Sequence, residues 1–404
     1  MDATSHAAAM PAEPRPAVPD SERPGPPPAL GRQPALDGIR GIAIVLVVLV
    51  HAGNSLWPAA SSWLAKNGPL GVHLFFVLSG FLITTLLLTE HRRTGGIRLG
   101  DFAVRRARRL LPAVLALLGA MGVVAALGTR LRVATVVSSA IYVLTFTSNW
   151  AMRGHSLPFV NDLTGGGGMV TEVIHTWSLA IEAQYYAVWA VALWAATRAG
   201  WSLRRIAVAT SAVVVVIAVA RAVTYARGTP WLTLYITTWS RLDAPLVGSL
   251  VAIAFVAGWL GRLDRRWLVA VGSLGLAAFV AVAFVTNFVI GAMPFGLYTG
   301  LAACAAAGVA AVVIVPEARV ARLLAVRPLV WLGTVSYSLY IWHYGIFWAI
   351  ERRDPSWPGP VRLVVGVGLA LAVSAASYRW IERPFLRRRP APRTVAAPVP
   401  AVPA

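Results

Sequence analysis

Two polar residues within the first apolar stretch, Arg40 and His51, have the chemistry and the spacing of a site. They are eleven residues apart. At about 100° per residue this is three helical turns plus roughly 20°, so both side chains lie on one helix face, about 16 Å apart along the axis. Ionisable groups are costly inside an apolar span and are usually functional there. An imidazole can take a proton from a hydroxyl group near neutral pH, and a guanidinium can hold an anion.

A histidine that acts as a general base is commonly oriented by a carboxylate, which also stabilises the imidazolium. Depth along the predicted helices places two acids, Glu182 and Asp243, at the outer level of His51. We therefore expect all three residues to be catalytic. No G-x-S-x-G elbow and no metal-ligand spacing is present, so the nucleophile is expected to be the substrate's own hydroxyl and no metal is expected.

Further polar side chains are predicted at the same outer level. Ser336, Tyr340 and His343 are spaced by four and three residues, which puts them on one helix face. His73 lies in the outer turn of the second span. We expect these four residues to bind substrate. Each histidine taken alone is better explained by a structural role at the membrane interface, and it is their joint pattern that indicates a site.

A dense group of arginines lies between Glu90 and Pro112, in a segment read as the loop between the second and third spans. Arg106 and Arg109 are three residues apart and lie on one helix face, where two planar guanidinium groups suit phosphate oxygens. We expect this pair and Arg40 to bind an anionic cosubstrate. Part of the group is also expected from topology alone, since arginines mark the inner ends of membrane spans.

Composition defines the class of protein. Of 404 residues, 57% are hydrophobic and 13% are charged, and apolar stretches long enough to cross a bilayer recur along the chain. The formal net charge is +20, but the arginines cluster at the ends of apolar stretches, which indicates a lipid bilayer as the partner and argues against nucleic acid. The sequence thus predicts an all-α polytopic membrane protein with cytosolic N- and C-termini.

Ten transmembrane helices are predicted, at 36–57, 69–89, 110–127, 178–197, 206–223, 243–258, 267–287, 294–315, 329–350 and 361–381. The stretch 133–150 is apolar but interrupted by Thr and Ser. If it also crossed, the later basic loops would face outward, so we expect it to lie in the outer interface or to re-enter. Proline- and alanine-rich tails at 1–34 and 386–404 are predicted to be disordered and cytosolic, on either side of one membrane domain at 35–385.

Seven ordered motifs resemble those of the acyltransferase family 3 membrane proteins, the group of O-antigen, peptidoglycan and macrolide O-acyltransferases. The resemblance covers about residues 36–385. The motifs are LDGIRGIA at 36–43 followed by His51, GVHLFFVLSGFLIT at 71–84, Arg106-x-x-Arg109 with Pro112, HTWSLAIE at 175–182, RLDA at 241–244, SYSLYIWH at 336–343 and IERP at 381–384.

The resemblance implies transfer of an acyl group from cytosolic acyl-CoA, with acetyl-CoA the expected form, to a hydroxyl presented from the outer side. The acceptor would be an exported or cell-surface glycan, or a glycosylated metabolite such as a macrolide. Arg40 and His51 match the first-span pair that the family needs for activity. Many relatives have an acid in place of His73 and a second acid in place of Ala183, so Glu182 or Asp243 is expected to orient His51 here.

Two other classes of function remain open from the sequence. A transporter or flippase of glycans or lipids would favour internal repeats and broken helices, and neither is apparent. A membrane scaffold would leave the outer histidines and acids without a purpose. The resulting hypothesis is a multi-pass O-acyltransferase of the inner or plasma membrane.

Overall fold

The computed structural model describes residues 31, 33–60, 69–128, 133–154, 171–284, 292–353 and 356–387. Of the predicted tails at 1–34 and 386–404, only residues 31, 33, 34, 386 and 387 are among the described residues. The described part of the chain is helical and contains no strand, which confirms the all-α prediction. Its α-helices, named α1 to α16 in chain order, are Pro34–Ser55, Pro69–Thr94, Leu99–Ala126, Val133–Leu144, Ser148–Gly154, Trp177–Arg198, Leu203–Ala226, Trp231–Ile236, Thr238–Arg241, Asp243–Val256, Arg265–Val282, Leu297–Ile314, Arg319–Leu324, Arg327–Arg353, Gly359–Ser377 and Arg383–Arg387.

Each of the ten predicted spans falls on one of these helices. Among the described residues, eight helices are long and apolar enough to cross a membrane. The other two are α10, which has only 14 residues, and α14, which has 27 residues but carries serines, tyrosines and a histidine in its middle. The structure is that of a polytopic membrane protein.

Two segments between the predicted spans are helical. The arginine-rich segment is not a loop: α2 continues to Thr94 and α3 already begins at Leu99, so Arg106 and Arg109 lie on a helix. Arginine is a good helix former and Asp101 lies in the first turn, which favours this early start. The ambiguous stretch forms α4 and α5, of 12 and 7 residues, and both are too short to cross a bilayer.

Two pairs of parallel helices position the polar residues. Along α1 and α14, Arg40 contacts Ser336 and His51 contacts His343, so the two helices run in the same direction. Along α2 and α10, Thr84 contacts Ser249 and Arg92 contacts Val256. These relative directions agree with the predicted order of spans, in which the first and ninth run outward and the second and sixth run inward.

The α1–α14 pair packs backbone against backbone at its predicted inner end. A Cβ atom added to Gly333 would lie 1.8 Å from the carbonyl oxygen of Asp37, and one added to Gly41 would lie 2.4 Å from that of Leu329. Only glycine allows this approach, since the obstacle is backbone rather than a flexible side chain. The close approach is what brings Arg40 to Ser336.

We expect Gly333→Ala to destabilise the protein by about 1–3 kcal/mol or more, because α1 and α14 must move apart. The measurement is the thermal unfolding midpoint of purified protein in detergent. Gly300→Ala in α12 is the matched control, since an added Cβ there meets nothing within 4 Å. Equal midpoints for the two variants would contradict the close-packing account.

A reporter fused after Arg204 should lie in the cytosol, and one fused after Gly165 should lie outside, because the basic loops are expected to face inward. Residue 165 is outside the described residues, so this expectation stands on charge alone. Protease or alkylation access in intact cells measures both. Finding the two reporters on one side would show that the predicted fourth span does not cross.

Candidate active site

A cavity of about 480 Å³ runs between the helices. Its wall on α2 extends from Val72 to Arg93. Twenty-one residues of helix rise about 31 Å, close to the thickness of a bilayer's hydrocarbon core. Most of the wall is apolar, and the polar side chains on it are Arg40, Ser79, Thr85, Thr89, Arg93, Arg106, Arg109, Ser178, Glu182, Tyr186, Ser336, Tyr337 and Tyr340.

One end of the cavity is rich in cations. Arg93 from the end of α2 and the predicted pair Arg106 and Arg109 from α3 all line it. The guanidinium of Arg106 lies 5.7 Å from the ring centre of Phe102, and its buried Nε has no hydrogen-bond partner among the described residues. Arg93 was not singled out from the sequence. In the sequence, Arg93 has the same charge as the adjacent Arg92 and nearly the same position, so nothing distinguished the two.

Other arginines of the same cluster have structural partners. Arg92 donates to the backbone oxygen of Val256 at 2.6 Å, and Arg105 pairs with Glu90 at 2.8 Å. Arg98 lies 3.4 Å from Glu90. The structure thus divides the cluster into arginines that hold helices together and arginines that face the cavity.

Arg40 lies further along the cavity wall. Its Nη2 donates to the hydroxyl oxygen of Ser336 at 3.0 Å, and its Nη1 lies 3.5 Å from Asp37. Ser336 in turn donates to the backbone oxygen of Gly333 at 2.8 Å. Ser336 therefore holds the guanidinium against the cavity, although it was predicted as a substrate ligand.

Glu182 faces this cavity and does not contact His51. Its carboxylate accepts hydrogen bonds from the hydroxyl groups of Ser79 and Tyr186. The predicted pairing of Glu182 with His51 is therefore wrong in geometry. Depth along a helix put them at a similar level, but α6 directs Glu182 toward the arginines instead.

Three imidazoles meet just beyond the other end of the cavity. Nδ1 of His51 lies 3.0 Å from Nε2 of His343. The ring of His175 lies 5.5 Å from that of His343, and both His175 nitrogens are buried without a hydrogen-bond partner among the described residues. His343 and His175 are buried, whereas His51 is half-buried. The sequence motifs included His175, but it was not predicted as a site residue.

Tyr340 connects the cavity to these histidines. Its hydroxyl lies on the cavity wall, 2.6 Å from the hydroxyl oxygen of Ser178, and it donates to the backbone oxygen of His175. Its ring centre is 5.2 Å from that of His175 and 5.9 Å from that of His343. A group held at this end of the cavity would thus lie one side chain away from the histidines.

His73 and Asp243 belong to a different, fully buried cluster. The Nε2–H of His73 donates to the backbone oxygen of Tyr298 at 2.8 Å, and Nδ1 accepts from Arg241 at 3.0 Å. The Arg241 guanidinium lies 4.1 Å from the ring centre of Tyr298, a cation–π contact. The expectation that His73 would join His51 and His343 is not met.

Asp243 pairs with an arginine that was not predicted as a site residue. Arg221 donates to its Oδ2 at 2.8 Å, and the hydroxyl of Thr299 donates to the same oxygen at 2.6 Å. Asp243 is therefore committed to a buried ion pair and does not orient His51, which corrects that prediction. A signal for Arg221 existed, since it falls inside the predicted span 206–223.

The part of the chain that the structure describes contains no group of three or more His, Cys, Asp and Glu side chains that could hold a metal ion. What the described residues do bring together is a cation-rich end, an apolar passage and a group of imidazoles. Such an arrangement can hold an anionic ligand at one end and move a proton at the other.

Comparison with known proteins gives the following similarities. The family described as acyltransferase domain matches residues 33–379. The candidate peptidoglycan O-acetyltransferase YrhL of Bacillus subtilis (strain 168) is 32% identical over 359 residues, which cover 87% of this chain and 54% of that protein. The peptidoglycan O-acetyltransferase OatA of Listeria monocytogenes is 28% identical, covering 87% and 55%, and OatA of Staphylococcus aureus is 28% identical, covering 88% and 57%. The chain spans about half the length of these relatives. No solved structure matches it.

Proposed function

Since the chain belongs to acyltransferase family 3, we propose that it is an acyltransferase of the plasma membrane, which transfers an acetyl group from cytosolic acetyl-CoA to a hydroxyl of an exported or cell-surface glycan. The observation that carries the proposal is the cavity that runs from Arg93, Arg106 and Arg109 to Tyr340, beside the histidines. The family assignment argues against the alternative of a transporter without acyl transfer.

The donor would enter at the cation-rich end. Arg93, Arg106 and Arg109 would hold the phosphates of CoA, because guanidinium groups pair with phosphate oxygens through two parallel donors. The apolar passage would take the uncharged pantetheine arm, and about 480 Å³ lies within the range of ligand pockets. The thioester would then lie near Ser178 and Tyr340, at the end next to the histidines.

His51 is the general base of the proposed reaction. It takes the proton of the acceptor hydroxyl while that oxygen attacks the thioester carbonyl carbon. The C–O bond of the new ester forms and the C–S bond breaks. The leaving thiolate then takes the proton from the His51 imidazolium, so CoA leaves as its thiol and the imidazole is neutral again.

The other predicted site residues support this reaction from nearby. Glu182 offsets part of the arginine charge within the donor cavity. Arg40 completes the row of cations, held by Ser336. Tyr340 lies between the thioester and the histidines. His73 joins α2 to α9 through Arg241, and Asp243 joins α10 to α7 through Arg221.

The acceptor class is proposed from the relatives, whose names describe peptidoglycan O-acetyltransferases. A glycan hydroxyl fits the half-buried position of His51, which a large acceptor can approach from outside. A glycosylated small molecule would present the same hydroxyl chemistry.

The experiment that tests the function is an acetyl-transfer assay with protein reconstituted in nanodiscs, with acetyl-CoA and a soluble peptidoglycan oligosaccharide. Release of the CoA thiol, dependent on the oligosaccharide, and an acetyl ester on the sugar by mass spectrometry are expected. A small glycoside such as a macrolide serves as the competing acceptor. If the macrolide supports thiol release and the oligosaccharide does not, the glycan assignment is overturned. If neither acceptor gains an acetyl ester, acetyl-CoA-dependent transfer is overturned.

A further inference from the structure

The predicted carboxylate partner of His51 is replaced in the structure by a second imidazole. We propose that His343 is a positioning residue, which fixes the tautomer of His51 so that Nε2 of His51 is the basic nitrogen. The inference rests on the proposed function, in which His51 is the base. It assigns His343 a role other than the substrate binding expected from the sequence.

The first step concerns the proton on His343. Its Nδ1 lies 2.8 Å from the backbone oxygen of Leu339 and 2.9 Å from that of Tyr340. Carbonyl oxygens only accept hydrogen bonds, so Nδ1 must carry the hydrogen. A neutral imidazole has one N–H, which leaves Nε2 of His343 with a lone pair.

The second step passes this constraint to His51. Nε2 of His343 lies 3.0 Å from Nδ1 of His51 and can only accept, so Nδ1 of His51 donates. Nε2 of His51 is then the nitrogen with the lone pair. It is the nitrogen on the far side of the ring from His343, so the base is turned away from the partner that orients it.

The third step concerns what holds His343 in place. The ring of Phe347 lies 5.6 Å from His343 in an edge-to-face contact, and His175 lies 5.5 Å away in another. Two backbone oxygens of its own helix fix Nδ1. His343 is fully buried, so it can rotate only by breaking these contacts.

A histidine in this position differs from a carboxylate in one respect. Both accept the Nδ1–H of the base, but a neutral imidazole adds no negative charge beside the imidazolium that forms. The charged intermediate is therefore less stabilised, which favours rapid return of the proton to the leaving thiolate. His343 thus sets which nitrogen of His51 takes the proton, without stabilising the imidazolium that forms.

Amide substitutions separate the two nitrogens of His343. Glutamine places an oxygen near the position of Nε2, where it can accept from His51, whereas asparagine reaches only the position of Nδ1. We expect kcat to fall about 10- to 100-fold in His343→Asn and His343→Leu, the range found for groups that orient metal-bound histidines. KM for donor and acceptor should change little, and His343→Gln should retain most of the activity. Equal losses in the Gln and Asn variants would overturn the inference.

A spectroscopic measurement tests the tautomer without turnover. The chain has seven histidines, so ¹⁵N-histidine labelling gives a small set of ring signals. His51→Ala identifies the His51 signals, and His91→Gln at the end of α2 is the control that should leave them unchanged. We expect a protonated Nδ1 and an unprotonated Nε2 on His51 in wild type, and a mixture in His343→Leu.

Different results would overturn the role of His343 and the proposed function. A proton on Nε2 of His51 in wild type would overturn the role of His343 even if the enzyme is active. The expected tautomer together with full activity of His51→Ala would instead overturn the proposed function.

Discussion

Replacing His51 by alanine is expected to lower kcat for acyl transfer by about 10²–10⁴-fold, the usual contribution of a general base. His51 is the only one of the three clustered histidines that is half-buried rather than buried, so it is the one an acceptor can reach. Thiol release from acetyl-CoA at saturating donor and acceptor measures the effect. Binding of acetyl-CoA should persist, because the arginines that would hold it lie at the other end of the cavity.

The control for this prediction is His91→Ala, which removes an imidazole from the predicted inner end of α2, away from the three histidines. It should turn over like wild type at equal membrane level. Size-exclusion profiles and unfolding midpoints of both variants show whether the fold is kept. Wild-type turnover in a folded His51→Ala protein would remove His51 from the chemistry.

Exchanging both Arg106 and Arg109 for lysine is expected to raise KM for acetyl-CoA about 10- to 100-fold, the equivalent of one or two charge-assisted hydrogen bonds. Lysine keeps the charge, so membrane orientation should survive. It lacks the planar pair of donors, so phosphate contacts weaken. The acceptor KM should move much less, because the acceptor is expected near His51.

The neighbouring pair Arg92 and Arg105 gives a matched control. Replacing Arg92 and Arg105 by lysine is the same chemical change in the same arginine cluster. These two side chains, however, bind Val256 and Glu90 instead of facing the cavity. The control variant should keep the wild-type KM for acetyl-CoA. Equal KM values for the two double variants would contradict the specific phosphate contacts. Arg106 and Arg109 would then be either a simple charge attractor or a membrane anchor, and the donor would have to be held elsewhere, with Arg40 the next candidate.

The sequence by itself determined the class of protein, the helices and the residues worth testing. Apolar length and the spacing of residues along a helix are local properties, so they gave the ten helical segments, the common face of Arg40 and His51, and the pair Arg106 and Arg109. Ordered motifs gave the family, which the match over residues 33–379 confirms. Even the early start of α3 was in principle local information, since arginines favour helix.

Only the tertiary structure decided which of these residues meet. Periodicity gives the depth and the face of a side chain, but not which helix that face contacts. His51 and His343 are 292 residues apart, and they meet because α1 and α14 approach closely at Gly41 and Gly333. Arg221 likewise pairs with Asp243 because helix packing sets the rotation of each helix against its neighbours. The partner of the base is therefore an imidazole, although depth alone favoured a carboxylate.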